Sequence, residues 1–525
     1  MVWSVLSARL SLSYYYHYKM KANPNTTRSI FVLLVTTLVF AATYSYVFDK
    51  KLDLNGDNAN YYMLGKALAT GEGYVNINNI QKRPNNHFPP GYPALISGII
   101  TVFGDSSTSI KLVNGVLFLL SLFGLYFLIK QINERESTAI IVILLIMFNS
   151  HLLRYSTMIM TEVPFLFFSI MALLAFTKIN FNKPFWRDPW VYLSLLLLII
   201  AFYIRTSGVA LIGGIILYLL FTKRWQHATV IAIGIILLAL PWQLRSHKLG
   251  GSSYAKQLVM VNPYRPEMGK ASPGNYVDRF GNNVARYLTK EIPSATFSFF
   301  KPNYREPSSA SQWLFGLPFF LIMIYGIWNL KKYKLLILAY LIGTFGILSQ
   351  WPDVWVGVRF LLPAVPFLLI GLVNGLQIIF IRLIPEKAHK YLYWLPIIIC
   401  LPFFSNVKPL HEQARTKIKA NWANYFTLAK WVNDNLDANT VVACRKPTMF
   451  SLYSNSFAAK YKYTEDSQEL IDNLIEKQVD YVVLEQLGYS STARYLWPAI
   501  QNNPDKFKII QKLNNPDTYL LQLIK

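Results

Sequence analysis

Apolar residues fall in long blocks along this chain, without the alternating or three-to-four spacing of a soluble protein. The blocks cover 30–48, 109–129, 138–153, 162–178, 190–204, 208–222, 228–242, 311–330, 335–349, 360–380 and 392–404. A stretch of about 20 apolar residues, or somewhat fewer inside a bundle, predicts a membrane-spanning helix. About eleven spans are therefore expected, an odd number that sends the two chain ends to opposite sides. About 29 polar and aromatic residues precede the first block, which is too long for the apolar core of a signal peptide, so no cleaved leader is expected.

The pattern changes at Ser405. Charged residues appear at ordinary density, and short helix and strand patterns alternate. Asn421–Asn435 predicts a helix, Thr440–Cys444 a strand, Ser467–Lys477 a helix, Asp480–Leu484 a buried strand and Tyr519–Ile524 a final strand. The expected fold is a polytopic α-helical membrane protein over 1–404, followed by a small soluble α/β domain over 405–525. No GxGxxG or P-loop accompanies that domain, so no nucleotide site is expected.

Composition sharpens this. Of 525 residues, 53% are hydrophobic, 15% aromatic and only 15% charged, with a mean hydropathy of +0.30. A soluble domain carries about 25% charged residues, and disorder does not fit so much Leu, Ile, Phe and Tyr. The net charge of +24 lies mostly before Ser405, because the tail holds 15 Lys/Arg against 12 Asp/Glu. The basic residues are scattered over short loops, which fits orientation signals and anionic lipid contacts and excludes nucleic acid as the partner. Cys400 and Cys444 form neither a disulfide framework nor a metal-site spacing.

The basic loop residues also give sidedness. Lys19, Lys21 and Arg28; Lys130 and Arg135; Lys178, Lys183 and Arg187; Lys223 and Arg224; Lys331, Lys332 and Lys334; and Arg382, Lys387 and Lys390 fall on one side of consecutive spans. The opposite short loops hold almost only Arg154, Arg205 and Arg359. This predicts a cytoplasmic N-terminus, with loops 49–108 and 243–310 and the tail facing outward. A bacterial cytoplasmic (inner) membrane with the tail in the periplasm is the expected location.

The outward loops carry the candidate chemistry. The first contains Leu54-Asn55-Gly56-Asp57-Asn58-Ala59-Asn60-Tyr61-Tyr62, a short amphipathic helix, Gly71-Glu72-Gly73-Tyr74, and then His87-Phe88-Pro89-Pro90-Gly91-Tyr92-Pro93. Taken alone, Asp57 also reads as a helix cap and Glu162 as a first-turn residue favouring the helix dipole. An arginine at a span's end also snorkels to headgroups.

Taken in order, these motifs resemble the integral-membrane glycosyltransferases of the GT-C fold, especially the branch with protein O-mannosyltransferases and the lipid A aminoarabinose transferase. The resemblance rests on Asp57 with Tyr61, Gly71-x-Gly73-Tyr74, Pro89-Pro90-Gly91-Tyr92-Pro93, Thr161-Glu162-Val163-Pro164-Phe165, Arg205-Thr206-Ser207-Gly208, Pro241-Trp242-Gln243-Leu244-Arg245 and Gly357-Val358-Arg359-Phe360-Leu361-Leu362-Pro363. It implies an inverting glycosyltransferase moving a sugar from a polyprenyl-phosphate donor to an acceptor hydroxyl on lipid, glycan or protein at the outer face of the membrane.

By that resemblance Asp57 is the base that removes the acceptor's proton. Arg205, Arg245 and Arg359 meet the departing phosphate, as planar guanidiniums suit phosphate oxygens. Glu162, Tyr61, His87 and Tyr92 are candidates for acceptor or sugar contacts. The protein O-mannosyltransferases carry Asp-Glu where this chain has Asp57-Asn58. The aminoarabinose transferases carry a lysine just before the Pro-Pro pair, where Phe88 stands here, so that phosphate contact passes to Lys82 or Arg83. Some relatives use a divalent cation and others do not; His87, Asp57 and Glu162 are too scattered along the chain to specify one.

Two other classes compete. A transporter or flippase predicts ionisable residues at mid-span or broken helices in matching halves, whereas the charged motifs here gather at one face. An O-antigen ligase or polymerase uses a similar donor but relies on outer-loop arginines without the Asp57 motif.

Overall fold

The computed structural model describes residues 24–54, 56–297, 299–384 and 389–525. Lys19, Lys21, Asn55 and Lys387, named above, lie outside them, as does most of the stretch before the first span. The chain divides into two compact units, residues 1–46 and 47–525. In the first, the helix starting at Pro24 exposes Ile30, Phe31, Leu34 and Leu38 along its length.

Among the described residues, five helices are long and apolar enough to cross a membrane: Thr26–Val47, Ser107–Ile132, Trp225–Lys248, Ala310–Trp328 and Val365–Leu383. The span expected over 138–153 is a broken one. Glu136–Met147 and Ser150–Ser156 meet at 63°, because Asn149 between them caps the second helix through Leu152 N and donates to Ala295 O at 2.7 Å. Glu162–Phe176, Pro189–Ile204, Thr206–Phe221 and Lys334–Ser349 are shorter apolar helices. The expected span at 392–404 is not one helix but a 3-10 segment, Leu395–Ile399, followed by Cys400–Phe404. Pro396 and Pro402 each remove a backbone donor there. The expected block at 228–242 instead runs on to Lys248, carrying Arg245 on the helix.

Small residues set the closest approach within the bundle. A Cβ added to Gly326 would lie 1.8 Å from the carbonyl oxygen of Gly371, and one added to Gly375 would lie 2.5 Å from that of Ile322. Ala310–Trp328 and Val365–Leu383 therefore touch backbone to backbone, the packing that apolar helices use where lipid gives no hydrophobic drive. Gly326→Val is expected to abolish recovery of folded protein from detergent, whereas Gly346→Ala, with open space around its Cβ, leaves size-exclusion behaviour unchanged.

The tail forms a five-stranded sheet: β1 (Val441–Ala443), β2 (Phe457–Ala459), β3 (Tyr481–Leu484), β4 (Phe507–Leu513) and β5 (Thr518–Leu523), in the order β2-β1-β3-β5-β4. β1, β2 and β3 run parallel, β5 runs antiparallel to β3, and β4 runs antiparallel to β5. Helices Ala420–Asn435 and Ser467–Glu476 match the expected ones closely. The tail packs against the segment that follows the first helix, over residues 56–85. Ala59 is buried with Trp422, Tyr425 and Phe450. Ala458 N donates to Asn78 O at 2.7 Å, and Asn78 Nδ2 donates back to Ala458 O.

Candidate active site

Helix Gly56–Ala69 carries Asp57 in its first turn, where the exposed N–H groups favour a carboxylate. Neighbouring residues fix how that helix sits. Asn58 is fully buried, and its Oδ1 accepts from Ile159 N at 3.0 Å, tying the helix to the turn that precedes Glu162. Tyr61 packs on Phe88 and edge-on to Tyr92, with ring centroids 4.7 and 5.3 Å apart. Tyr92 is itself enclosed, and its hydroxyl accepts from Asn114 Nδ2 at 2.8 Å. Both tyrosines thus support the site from its core side.

Four charged residues from four parts of the sequence meet here. Arg359 Nη1 donates to Asp57 Oδ2 at 2.9 Å and Arg359 Nε to Glu162 Oε1 at 2.5 Å. Arg205 Nη1 reaches the same Oε1 at 2.7 Å and Thr161 Oγ1 at 3.0 Å. Glu162 is fully buried, and its other oxygen, Oε2, is enclosed with no hydrogen-bond donor among the described residues. Asp57 keeps 30% of its side chain exposed, so of the two carboxylates it is the one a substrate can reach. Gly357 makes the turn that brings Arg359 in: its φ of +110° suits glycine alone. Burial alone would lower the Arg359 guanidinium, but Glu162 and Asp57 hold it well above its ordinary value.

An aromatic wall faces Asp57. The His87 ring stacks on Tyr254 with centroids 4.6 Å apart, and His87 Nδ1 lies 2.6 Å from Ser253 Oγ. Tyr254 meets Trp355, which meets Trp351, which meets Phe360 beside Arg359. Burial pushes the Tyr254 phenol up to about 12, with Asp57 adding to it. Burial lowers the His87 imidazole, and the Asp57 charge opposes this. A narrow crevice with room for little more than a water-sized group starts at Arg205 and is lined by Phe165, Tyr340, Ile347, Leu348 and Phe360.

The other predicted cations lie elsewhere. Lys82 pairs with Glu72 at 2.8 Å, and Arg83 Nε donates to Gln81 at 2.5 Å. Arg245 donates to the carbonyls of Asn85 and Tyr74, lies 4.7 Å from the Trp242 ring, and borders a separate open groove with Tyr74, Val75 and Leu244. In loop 243–310, Arg279 donates to the carbonyls of Leu258 and Met260, while Arg286 pairs with buried Glu291 at 2.8 Å. Tyr254 and the cations Arg445, Lys446 and Lys460 also stand near this cluster; only Arg445, directly after the strand expected over Thr440–Cys444, had a signal in the sequence.

A divalent cation would need the two carboxylates to share it. The Arg359 guanidinium already stands between Asp57 and Glu162. Among the described residues no group of three or more His, Cys, Asp or Glu is placed to hold a metal ion. The residues present do not fit a resident metal.

The model of the dolichyl-phosphate-mannose-protein mannosyltransferase family matches residues 87–242, a stretch that includes His87, Glu162 and Arg205. No curated protein matches in sequence. Among solved structures, the chain is similar to ArnT from Cupriavidus metallidurans bound to undecaprenyl phosphate, at 10% identity and a TM-score of 0.58, covering 94% of this chain and 98% of that one. It is similar to the Archaeoglobus fulgidus oligosaccharyltransferase, at 11% identity and a TM-score of 0.58 over 87% and 69% of the two chains. The arabinofuranosyltransferase AftD from Mycobacteria matches at 12% identity and a TM-score of 0.53, over 94% and 40%. The fold continues across the bundle and the tail, far beyond the stretch that the family model matches. The chain has the GT-C fold, the architecture of integral-membrane glycosyltransferases.

Proposed function

We propose that this protein is an inverting glycosyltransferase that moves a sugar from a polyprenyl-phosphate donor to an acceptor hydroxyl at the outer face of a bacterial cytoplasmic membrane. The observation that carries this is the Asp57–Arg359–Glu162–Arg205 cluster, reachable at Asp57 and bordered by an apolar crevice at Arg205. The structural similarity to a protein bound to undecaprenyl phosphate supports the choice of donor.

In this mechanism the prenyl chain lies along the crevice at Phe165 and Tyr340, which brings the phosphate to Arg205. The acceptor oxygen attacks the sugar carbon from the opposite side while its proton passes to an Asp57 oxygen. The bond from that carbon to the phosphate oxygen breaks, and its electron pair leaves with the lipid phosphate. Arg359 holds Asp57 in place, while Glu162 fixes both guanidiniums; such preorganisation avoids rearrangement during reaction. The ring of His87, stacked on Tyr254, gives the sugar an apolar wall.

In cells, deleting the chain is expected to remove one sugar from an envelope glycan or lipid. The wild-type chain should restore it and the Asp57→Asn variant should not; restoration by that variant would reject the role of Asp57. Orientation is tested separately, because Cys400 and Cys444 are both buried. Lys508→Cys, on an exposed strand position, is expected to react with a membrane-impermeant maleimide from the periplasm of intact cells. Reaction only after lysis would reverse the topology.

A further inference from the structure

Three cations of the C-terminal domain take no part in the mechanism above. Arg445 and Lys446 follow β1, and Lys460 follows β2. Those strands run parallel, with Ala443 paired to Ala459, so all three cations lie at the carboxyl edge of the sheet. β1 has β2 on one side and β3 on the other. At such a reversal an open α/β sheet leaves a crevice outside its strand ends, where ligands bind.

Two tyrosines hold the cations side by side. The Arg445 guanidinium lies 4.3 Å from the Tyr489 ring and 5.6 Å from that of Tyr463. Lys446 Nζ is 4.8 Å from Tyr489, and Lys460 Nζ is 3.8 Å from Tyr463. Arg445 Nε donates to Ser491 Oγ at 2.7 Å. Among the described residues none of the three forms an ion pair. Lys446 faces Arg445, Asp57, Asp53 and Glu485; Lys460 faces Arg445, Lys446 and Lys477. Burial first, and then the like charge of Arg445, pushes each lysine down to about 8.

This edge looks onto the reaction centre. A Cβ added to Gly56 would lie 3.2 Å from Lys446 Nζ, and Thr448 Oγ1 donates to Asn60 Oδ1 at 2.6 Å. The charge of Lys460 is felt at His87. Within the cluster at Asp57, two guanidiniums face two carboxylates and cancel. An arriving phosphate therefore finds its surplus positive charge on the C-terminal domain.

We propose that Arg445, Lys446 and Lys460 form a phosphate-binding subsite on the aqueous side of Asp57. That this phosphate belongs to a reactant, whether the lipid phosphate of the donor or a phosphate on the acceptor, rests on the proposed transferase function; the binding itself does not. Two probes separate the sources: undecaprenyl phosphate in nanodiscs containing the full chain, and inorganic phosphate added to the same nanodiscs.

Replacing both lysines, Lys446→Gln with Lys460→Gln, is expected to weaken phosphate binding about tenfold or more, since two charge-assisted contacts are lost. Lys508→Gln, on β4, leaves it unchanged. A parallel loss for undecaprenyl phosphate makes the donor the source, and loss for inorganic phosphate alone makes it the acceptor. Wild-type binding is also expected to fall between about pH 7 and about pH 9, as the lysines lose their protons. Equal binding by wild type and the double variant, or no wild-type binding of either probe, overturns the subsite. Asp57→Asn should keep phosphate binding and lose sugar transfer; transfer that survives it rejects the role of Asp57 without touching the subsite.

Discussion

Asp57→Asn is expected to lower sugar transfer by about 10²–10⁴-fold, the usual contribution of a positioned general base. The amide keeps the size and hydrogen-bonding shape of the carboxylate, so Arg359 still finds an oxygen at Asp57 Oδ2's position, 2.9 Å away in the native protein. What disappears is the ability to accept a proton at neutral pH. Because Asp57 is partly exposed at a helix start, the variant should fold and insert normally, and donor binding should survive. A rate with purified variant in nanodiscs within about twofold of wild type would remove Asp57 from the chemistry, and the bound structure would then need another base.

Glu162→Ala is expected to produce the largest loss of stability of any single change at this site. The fully buried carboxylate accepts from Arg359 Nε at 2.5 Å and Arg205 Nη1 at 2.7 Å, and those guanidiniums are themselves only 20% and 12% exposed. Removing one partner of a buried pair costs about 3–5 kcal/mol, because the charge left behind has no compensation. Here Arg205 would lose its carboxylate and face Arg359, which keeps Asp57. Thermal unfolding in detergent should show a strongly lowered midpoint or no folded protein. Adding Arg205→Met to Glu162→Ala should recover part of the loss, since it removes the charge left without a carboxylate. An unchanged midpoint for the single variant would mean that the cluster is open to water and does not hold the site together.

Much of the architecture was legible in the pattern of the chain. Long apolar blocks are unambiguous wherever they run unbroken, as at 109–129, which falls inside Ser107–Ile132. The pattern failed where punctuation mattered more than hydropathy. Pro396 and Pro402 divide an apolar block that composition alone makes a span, and Asn149 bends another by capping a helix inside it. In the tail, β2 is too short to show a period, and β4 reads Phe-Lys-Ile-Ile-Gln-Lys-Leu, with an exposed isoleucine at 509 that breaks the expected alternation.

The site was legible as a set of residue types and not as an arrangement. Asp57 and Arg359 are 302 residues apart, so no local spacing could show that one guanidinium serves two carboxylates. For the same reason Arg245, alike in motif and side, could not be told apart from Arg205 until the helix carrying it extended to Lys248 and turned its donors to backbone carbonyls. Lys446 and Lys460 escaped notice because a basic residue in a soluble tail looks like ordinary surface; only the sheet order puts them together.

A structure of the protein in nanodiscs with undecaprenyl phosphate tests the central claim most directly. The prenyl chain is expected along the crevice between Phe165, Tyr340 and Phe360, with a phosphate oxygen within about 3.2 Å of an Arg205 or Lys446 nitrogen and the phosphorus beside Asp57. A lipid found in the open groove of Tyr74, Leu244 and Arg245, with its phosphate on Arg245 and nothing at Asp57, would contradict it.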